Sequence, residues 1–251
     1  MVQNPRNRGG YGQYCPLAIA AETLGGRWTI LILSRVIEGC ASYSAIADGV
    51  PKISPALLST RLNELVAADL VTRKKDENGR FRYRPTQSAL ELEPLLDSLA
   101  QWGQRWARDM VDEDLDPAFL AWSMHLRMDA NAMPAGRTVL QFDFDGAPAN
   151  CRRFWLVSES GAIDMCLKPP GFETDLYVKA NLRIFIEAWR GIRDLRAELR
   201  AERIKISGPP ALIKSFPDWL LLSQFAPIKR QRSGKEARTQ SASHESSAKP
   251  A

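Results

Sequence analysis

Apolar residues recur at helical spacing through the first part of the chain, and short glycine-rich or polar breaks separate the runs. The pattern predicts a first helix that opens at Cys15-Pro16 with Leu17 facing inward, a second over residues 26–38 and a third over residues 43–47. Residues 1–14 are rich in Gly, Asn and Arg and are expected to be disordered. The N-terminal part is therefore predicted to be mainly helical.

A fourth helix has the best-defined pattern in the chain. Ser54 fits the N-cap position and Pro55 the first helical position. Apolar side chains at i, i+4 and i+7 then share one face, which is predicted to lie in the core. These residues are Leu58, Leu62 and Leu65. The opposite side carries short side chains that could enter a DNA major groove, namely Ala56, Ser59, Thr60 and Asn63. A solvated helix face is the alternative interpretation.

Two short basic runs follow this helix. Asn78-Gly79 between them predicts a tight β-hairpin, because both residues tolerate positive φ. On the second run Arg80, Arg82 and Arg84 alternate with aromatic residues, so the arginines share one side, as phosphate contact requires. A charged, solubilising edge strand is the alternative. A helix followed by a basic hairpin is typical of a winged helix-turn-helix, in which the hairpin is the wing.

A long apolar stripe marks a further helix over residues 88–109. Its members are Leu92, Leu95, Leu96, Leu99, Trp102 and Trp106. One small domain does not need to bury so much apolar surface on one helix. We therefore expect this helix to form a dimer interface together with the first helix. Packing against a second domain is the alternative.

The pattern changes after an acidic stretch, residues 109–116, which is predicted to be a linker. A helix starts at Asp116-Pro117, and strands with period two follow, with a turn at Ser160-Gly161 and an edge strand at residues 176–178. Helices, a short strand and a closing helix complete this part. A sheet followed by helices predicts an α+β domain.

Large apolar side chains on these strands and helices suit an apolar ligand pocket, and they suit an ordinary core almost as well. They are Trp122, Phe142, Phe144, Trp155, Met165, Phe185, Trp189 and Trp219.

Composition narrows the functional classes. Four scattered cysteines and two histidines argue against a zinc site, and no metal or other cofactor is expected. His125 has no catalytic partner marked in the local sequence and no Gly-rich phosphate loop is present, so no enzyme is predicted. The chain has no apolar run of membrane length, which predicts a soluble cytoplasmic protein. The formal net charge is +5, most of it after residue 228, so the wing is a better sign of DNA binding than the total.

Several motifs in the first half resemble those of the HxlR family of bacterial winged-helix regulators. They are Cys15-Pro16, Gly25-Gly26-Arg27-Trp28, Ile53-Ser54-Pro55 with Leu58, Arg61-Leu62 and Leu65, and Trp102-Gly103. The resemblance covers residues 15–108 and implies a homodimer on a near-palindromic operator. Some members sense electrophiles or oxidants through the cysteine that matches Cys15, which makes Cys15 a possible sensor. The sequence departs from the family at Ala56 and Asn63, where members often have a basic residue.

The second half resembles the sterol carrier protein type 2 fold over residues 116–226. The similar segments are Phe142-Asp143-Phe144, Gly161-Ala162-Ile163-Asp164, Asp175-Leu176 and Ile206-Ser207-Gly208. The resemblance implies a five-stranded sheet with helices and a tunnel for an apolar ligand.

These observations predict two domains. Residues 15–108 form a winged-helix domain for DNA binding and dimerisation, residues 109–115 a linker, residues 116–228 a sterol-carrier-like domain, and residues 229–251 a disordered basic tail. The predicted DNA contacts are Lys52, Ser54, Ala56, Ser59, Thr60, Arg61, Asn63, Arg80, Arg82 and Arg84. The predicted function is a homodimeric transcriptional regulator of double-stranded DNA, modulated by an apolar small molecule. An apolar-ligand carrier with an N-terminal dimerisation module, and a regulator that senses electrophiles or redox state through Cys15, are the alternatives.

Overall fold

The computed structural model describes residues 10–232. The predictions for residues 1–9 and for the tail beyond Arg232 lie outside this range. The chain divides into two compact units between Asp97 and Ser98, and each is described separately. The predicted domain limits, which place the junction at residues 109–115, stay predictions.

The N-terminal unit is a set of helices with one two-stranded hairpin. Its elements are α1 (Pro16–Leu24), α2 (Thr29–Ile37), α3 (Tyr43–Asp48), α4 (Pro55–Ala67), β1 (Val71–Lys75), β2 (Phe81–Pro85), α5 (Gln87–Leu90) and the first residues of α6 (Glu93–Trp106).

Helix α4 forms as its sequence predicts. The Ser54 hydroxyl oxygen accepts a hydrogen bond from the N–H of Leu57, and Pro55 occupies the first turn, where its missing N–H costs nothing. Each of the three leucines of the predicted stripe is only 1% exposed. They pack in one core with residues of α2, α3 and the hairpin, including Ile32, Ile46 and Tyr83. The core of this unit is therefore organised around the inner face of α4.

Two helix predictions are wrong in detail. Helix α2 begins at Thr29 rather than at residue 26, because Trp28 adopts a left-handed conformation (φ 76°) that a right-handed helix cannot include. In α1 no residue is buried, and Leu17 is 76% exposed instead of facing inward.

The predicted single helix over residues 88–109 is two helices, α5 and α6. Pro94 explains the break, since its ring conflicts with a helical carbonyl four residues earlier and it has no N–H to donate. Leu92 and Leu96 pack against the core of the N-terminal unit. The rest of the stripe is exposed: Leu95, Leu99, Trp102 and Trp106.

The C-terminal unit is a mixed sheet with helices. After α6 come a 3-10 turn (Asp112–Asp114), α7 (Pro117–His125), β3 (Thr138–Asp145), β4 (Arg153–Glu159), β5 (Ala162–Cys166), β6 (Leu176–Asn181), α8 (Leu182–Trp189), α9 (Leu195–Arg200), β7 (Ile204–Ser207) and α10 (Pro210–Trp219). The strand order is β5-β4-β3-β6-β7, with β3 and β6 parallel and the other neighbours antiparallel. A sheet with helices agrees with the α+β prediction.

Strand β6 is longer than predicted and lies inside the sheet, not at its edge. It runs between β3 and β7, and Val178 is paired with Phe142 on one side and Ile206 on the other. The predicted turn between β4 and β5 is confirmed. Ser160 and Gly161 both have positive φ, as a tight two-residue hairpin requires.

The predicted acidic linker is held by arginines of the C-terminal unit. Arg183 donates to the Met110 carbonyl oxygen at 3.0 Å and pairs with Asp112 at 2.7 Å. The side chains of Arg108 and Asp114 form two hydrogen bonds. Because its acids are paired in this way, the segment is a packed part of the unit and not a free spacer.

The beginning of the predicted basic tail is also ordered. Arg230 donates to the carbonyl oxygens of Gln104 and Ala107 at 3.1 and 2.9 Å and pairs with Asp109 at 2.7 Å. Carbonyls at a helix C-terminus have no partner within the helix, so a cation placed there stabilises it. Residues 229–232 thus fasten the chain to the end of α6, and the prediction of a disordered tail starting at Lys229 is wrong for this part.

Candidate nucleic-acid interface

Helices α3 and α4 form the helix-turn-helix of the N-terminal unit. The Ser42 hydroxyl caps α3 by accepting from the N–H of Ala45 at 3.1 Å. The Tyr43 hydroxyl donates to the Pro55 carbonyl oxygen at 2.9 Å and so ties the start of α3 to the start of α4. The angle between the helices is therefore fixed by a hydrogen bond as well as by the shared core.

The outer face of α4 carries the residues predicted to meet DNA. Ala56, Ser59, Thr60 and Asn63 are all exposed. Lys52 and Ser54 are exposed just before the helix. The Thr60 hydroxyl donates to the carbonyl oxygen of Ala56 at 3.0 Å, which fixes its rotamer and leaves its oxygen able to accept. All six residues are therefore accessible on the outer surface of α4 and of the turn before it.

Arg61 does not share this surface. Its Nε donates to the Arg27 carbonyl oxygen at 3.0 Å, and its Nη1 pairs with Glu64 at 2.6 Å. Gly26 lies so close that a Cβ there would be 3.3 Å from the Arg61 guanidinium carbon. The DNA contact at Arg61 stays a prediction that these bonds do not support, because its guanidinium already holds the turn before α2.

Strands β1 and β2 form the wing, but its turn differs from the prediction. The Asp76 N–H donates to the Arg80 carbonyl oxygen at 2.8 Å, and the Gly79 N–H donates to the Asp76 carbonyl oxygen at 2.9 Å. Of the two predicted turn residues, only Gly79 has positive φ (+73°). This is a three-residue loop closed by a glycine bulge and not a two-residue turn.

The three arginines of the predicted row are present on β2, but they differ in exposure to solvent. Arg80 and Arg84 are exposed, whereas Arg82 is half-buried and its Nε donates to Asp76 Oδ2 at 2.8 Å. The hydrogen bond from Arg82, together with backbone N–H donors of the loop, lowers the pKa of the Asp76 carboxyl. Arg82 therefore supports the loop, while Arg80 and Arg84 extend into solvent.

Sequence reasoning missed the other face of the wing. The register places Arg73 opposite Tyr83 and Lys75 opposite Phe81, so these four side chains share the face that Tyr83 buries in the core. Arg73 reaches α4 and donates from Nη1 to Asn63 Oδ1 at 3.1 Å. The basic run Arg73-Lys74-Lys75 on β1 was the available signal, but which of its members face α4 depends on the pairing register.

The predicted ligand-pocket residues are distributed over a packed core and two other places. Phe142, Phe144, Phe185, Trp189 and Trp219 belong to the main core of the C-terminal unit, and Met165 packs against it. Ring centroids are 5.9 Å apart for Phe142 and Phe185 and 5.1 Å for Phe144 and Phe185, so the rings fill this space. Trp155 lies on the opposite face of the sheet with Val139 and Val157, and Trp122 stacks on Phe119.

An open cleft occurs elsewhere in the C-terminal unit. It measures about 570 Å³ and lies along β7 between α9 and α10. Its floor is apolar and includes Leu199, Ile206 and Ile213, and its rim includes Arg200 and Lys205. None of the eight predicted pocket residues lines it. A pocket lined by those eight stays a prediction that the packing does not support.

The cysteines occupy different environments. Cys15 is exposed at the residue before α1, whereas Cys40, Cys151 and Cys166 are partly covered. Burial raises the pKa of the Cys40 thiol, with a smaller opposing effect from Arg35, and burial also raises the pKa of Cys166. Within residues 10–232 no group of His, Cys, Asp and Glu is placed to hold a metal ion.

Over the same residues, no single helix is long and apolar enough to cross a membrane. Helices α1 and α2 meet that criterion only as a pair bent by 84°.

A capped second helix with an exposed polar face, next to a basic hairpin, defines a winged helix-turn-helix protein. The HxlR-like helix-turn-helix family matches residues 23–111. Similar proteins from Bacillus subtilis (strain 168) include the HTH-type transcriptional regulator YkvN, 32% identical over 101 residues that cover 39% of this chain and 86% of that protein. Another is YvaP, 30% identical over 111 residues that cover 43% of this chain and 95% of that protein. The chain belongs to the HxlR-like helix-turn-helix family through its N-terminal part.

Among solved structures, the reduced form of the transcriptional regulator YodB from B. subtilis is 26% identical, covers 38% of this chain and 95% of its own, and has a TM-score of 0.34.

The thiol environments lead to a prediction about reactivity. Thiolate is the reactive form of cysteine, so a raised pKa leaves Cys40 and Cys166 less ionised at pH 8. Their partial burial should slow their reaction with an alkylating reagent further. We expect iodoacetamide to label Cys15 first when labelling is followed by mass spectrometry of the peptides. Cys15→Ser should remove the fast phase and leave the slow ones unchanged. A fast phase that survives in Cys15→Ser would contradict this ranking.

Proposed function

We propose that this protein is a homodimeric DNA-binding transcriptional regulator. Its helix α4 reads the bases of a near-palindromic operator, and its wing binds the DNA phosphates. A cytoplasmic location, where operator DNA is accessible, goes with this proposal. The family membership supports transcriptional regulation. The residue contacts, the dimer and any effector are the parts that this proposal adds.

One observation carries the proposal: the exposed face of α4 is continuous with the wing through the hydrogen bond between Arg73 and Asn63. Helix α4 has 13 residues and at 1.5 Å per residue is about 20 Å long. A helix fits the major groove, which is about 12 Å wide. Short side chains on the outer face let the backbone approach the base edges closely, so Ala56, Ser59, Thr60 and Asn63 are proposed to face the bases.

The wing is proposed to bind the DNA backbone. Arg80 and Arg84 extend into solvent, and their guanidinium groups can donate two parallel hydrogen bonds to a phosphate. Lys52 and the Ser54 region lie at the N-terminal end of α4, where backbone N–H groups and the helix dipole also favour a phosphate. These contacts would position the helix without reading sequence.

Dimerisation is proposed through α1 and α6. Helix α1 buries none of its residues, and α6 exposes a row that includes Leu99 (47%) and Trp102 (56%). Monomeric proteins rarely leave apolar rows of this size in water. A second copy of the chain is the proposed partner because a two-fold dimer matches a palindromic site.

An apolar small molecule in the C-terminal unit is a subordinate proposal. The mixed sheet with helices is compatible with the sterol-carrier-like fold that the sequence suggests. The cleft along β7 offers an apolar floor and a basic rim, which would suit an apolar chain with an acidic head.

A pure carrier remains the competing function, but it would have no use for a basic wing. A Cys15 sensor is the other competitor, and the exposure of that thiol is what supports it.

The wing is tested by salt dependence. Arg80→Ala and Arg84→Ala should each weaken binding to every DNA sequence about equally, because each removes one phosphate contact. The slope of log affinity against log salt should fall by about 0.9 in magnitude per contact. Fluorescence anisotropy across a salt series measures this. Arg137→Ala, which removes the same charge from the C-terminal unit, is the matched control and should keep the wild-type slope. Equal slopes in all variants would remove the wing from the interface.

The dimer is tested by a charge on the exposed row of α6. Leu99→Asp should yield folded monomers with much weaker operator binding, because two half-sites about 34 Å apart must be held together. Light scattering at micromolar concentration gives the mass. Gln101→Asp places the same charge on the same helix but off the face of the row, because it is one residue from Trp102 and two from Leu99, and it should leave the dimer intact. A wild-type protein that is monomeric under these conditions ends the dimer proposal.

The ligand is tested by titrating a fluorescent fatty-acid analogue with and without operator DNA. We expect saturable binding that DNA strengthens or weakens, since a ligand shifts an equilibrium only if it prefers one state. Ile206→Glu, in the floor of the cleft, should abolish binding while thermal unfolding shows that the unit still folds. No binding up to the solubility limit contradicts the ligand, and equal affinities in both titrations contradict its regulatory role.

A further inference from the structure

The Arg73 side chain lies between the wing and α4, and two contacts fix it. Its Nη1 donates to Asn63 Oδ1 at 3.1 Å. Its guanidinium carbon lies 4.7 Å from the centroid of the Phe81 ring, a cation–π distance. Lys75 approaches the same ring, with Nζ 5.4 Å from the centroid. Phe81 is 47% exposed, so an aromatic platform at the surface holds the guanidinium.

The wing that supports Arg73 is rigidly anchored. Tyr83, directly opposite Arg73, is buried in the core. The Tyr83 N–H also donates to the Ala41 carbonyl oxygen at 2.8 Å, outside the hairpin. Directly opposite residues on one face of an antiparallel pair have Cβ atoms about 4.5–5.5 Å apart, so the buried Tyr83 fixes where the Arg73 side chain starts. Arg73 is therefore presented next to α4 before any DNA arrives.

The contact also fixes the orientation of the Asn63 amide. A guanidinium has only donors, so the amide must turn its oxygen toward Arg73 and its NH₂ group away. Asparagine reads adenine by donating from NH₂ to N7 while its oxygen accepts from the N6 amino group. Here that oxygen already accepts from a cation, and the positive charge beside it disfavours another donor. The adenine contact is accordingly weakened.

We propose that Arg73 and Asn63 act as one base-reading pair that selects guanine. The donors they have left, the NH₂ of Asn63 and the remaining N–H groups of Arg73, match the two acceptors of guanine in the major groove, N7 and O6. Arg73 is then a specificity-determining residue and Phe81 the residue that positions it. This inference rests on the proposed function, because it requires α4 to enter the major groove.

The experiment begins with selection of sites from random duplex DNA by the wild-type protein. The same selection of DNA sites is then carried out with the Asn63→Ala and Arg73→Ala variants. Both variants should lose preference at the same base pair, and that base pair should carry guanine in the wild-type motif. Arg84→Ala is the control: it should bind all sequences more weakly and retain the complete motif.

Anisotropy on the selected duplex gives the size of the effect. Replacing that guanine by adenine, or by 7-deazaguanine, should weaken wild-type binding roughly 5- to 150-fold, the range of one good base contact. In Asn63→Ala and Arg73→Ala the same replacements should change affinity less than about twofold, because the contact is already lost. Arg73→Lys keeps the charge but not the planar fork that contacts Asn63 and the base together. It should retain overall affinity and weaken the guanine preference without abolishing it, because lysine can also donate to guanine.

The outcomes separate this inference from the proposed function. A selection that enriches no motif, with no DNA binding at any salt concentration, overturns both. A clear motif that is the same in wild type, Asn63→Ala and Arg73→Ala overturns the base-reading pair alone. So does adenine at the affected position, or loss of preference at different positions in the two variants. Equal thermal unfolding temperatures of the variants show that a lost preference is not a loss of fold.

Discussion

Burial of one face of α4 is the constraint on which the N-terminal unit depends. Leu58, Leu62 and Leu65 lie in the core, and each fully buried leucine stabilises the fold by about 1.5–3 kcal/mol relative to an exposed one. Because a helix is rigid, this burial also decides which residues face outward. The hairpin is rooted in the same core through Tyr83. The distance between the outer face of α4 and the wing is therefore set by packing behind them and not by contacts between them alone.

Local signals explain why much of this unit could be predicted. The N-cap at Ser54, the proline after it and the leucine spacing all act within a few residues, so α4 was predicted with its N-terminus and its inner face correct. The wing was predicted from a glycine turn, but its loop type was wrong. Whether Asn78 or only Gly79 takes positive φ depends on how Asp76 bonds across the loop. The partner of Arg73 could not be predicted either, because it requires the register of a hairpin against a helix.

The C-terminal unit shows more clearly which features could not be predicted from the sequence. The existence of strands and helices followed from periodicity, but the order of the strands did not. That order places β6 inside the sheet. The register of β3 with β4 pairs Trp155 with Gln141, the neighbour of Phe142, so Trp155 and Phe142 lie on opposite faces and do not form the one pocket that the sequence suggested. The contacts of the acidic segment before α7 could not be predicted, because its partner Arg183 is 71 positions away along the chain.

The attachment of Arg230 to the end of α6 makes the C-terminal unit a closed module. Its first helix and its last described residues meet, since the guanidinium of Arg230 bonds to the carbonyl oxygen of Gln104. Domains whose ends lie together can be joined to another fold through a single connection and tolerate transplantation. The same sheet and helices could therefore be appended to a different helix whose last carbonyl groups are free, provided that Arg230 can bond to them.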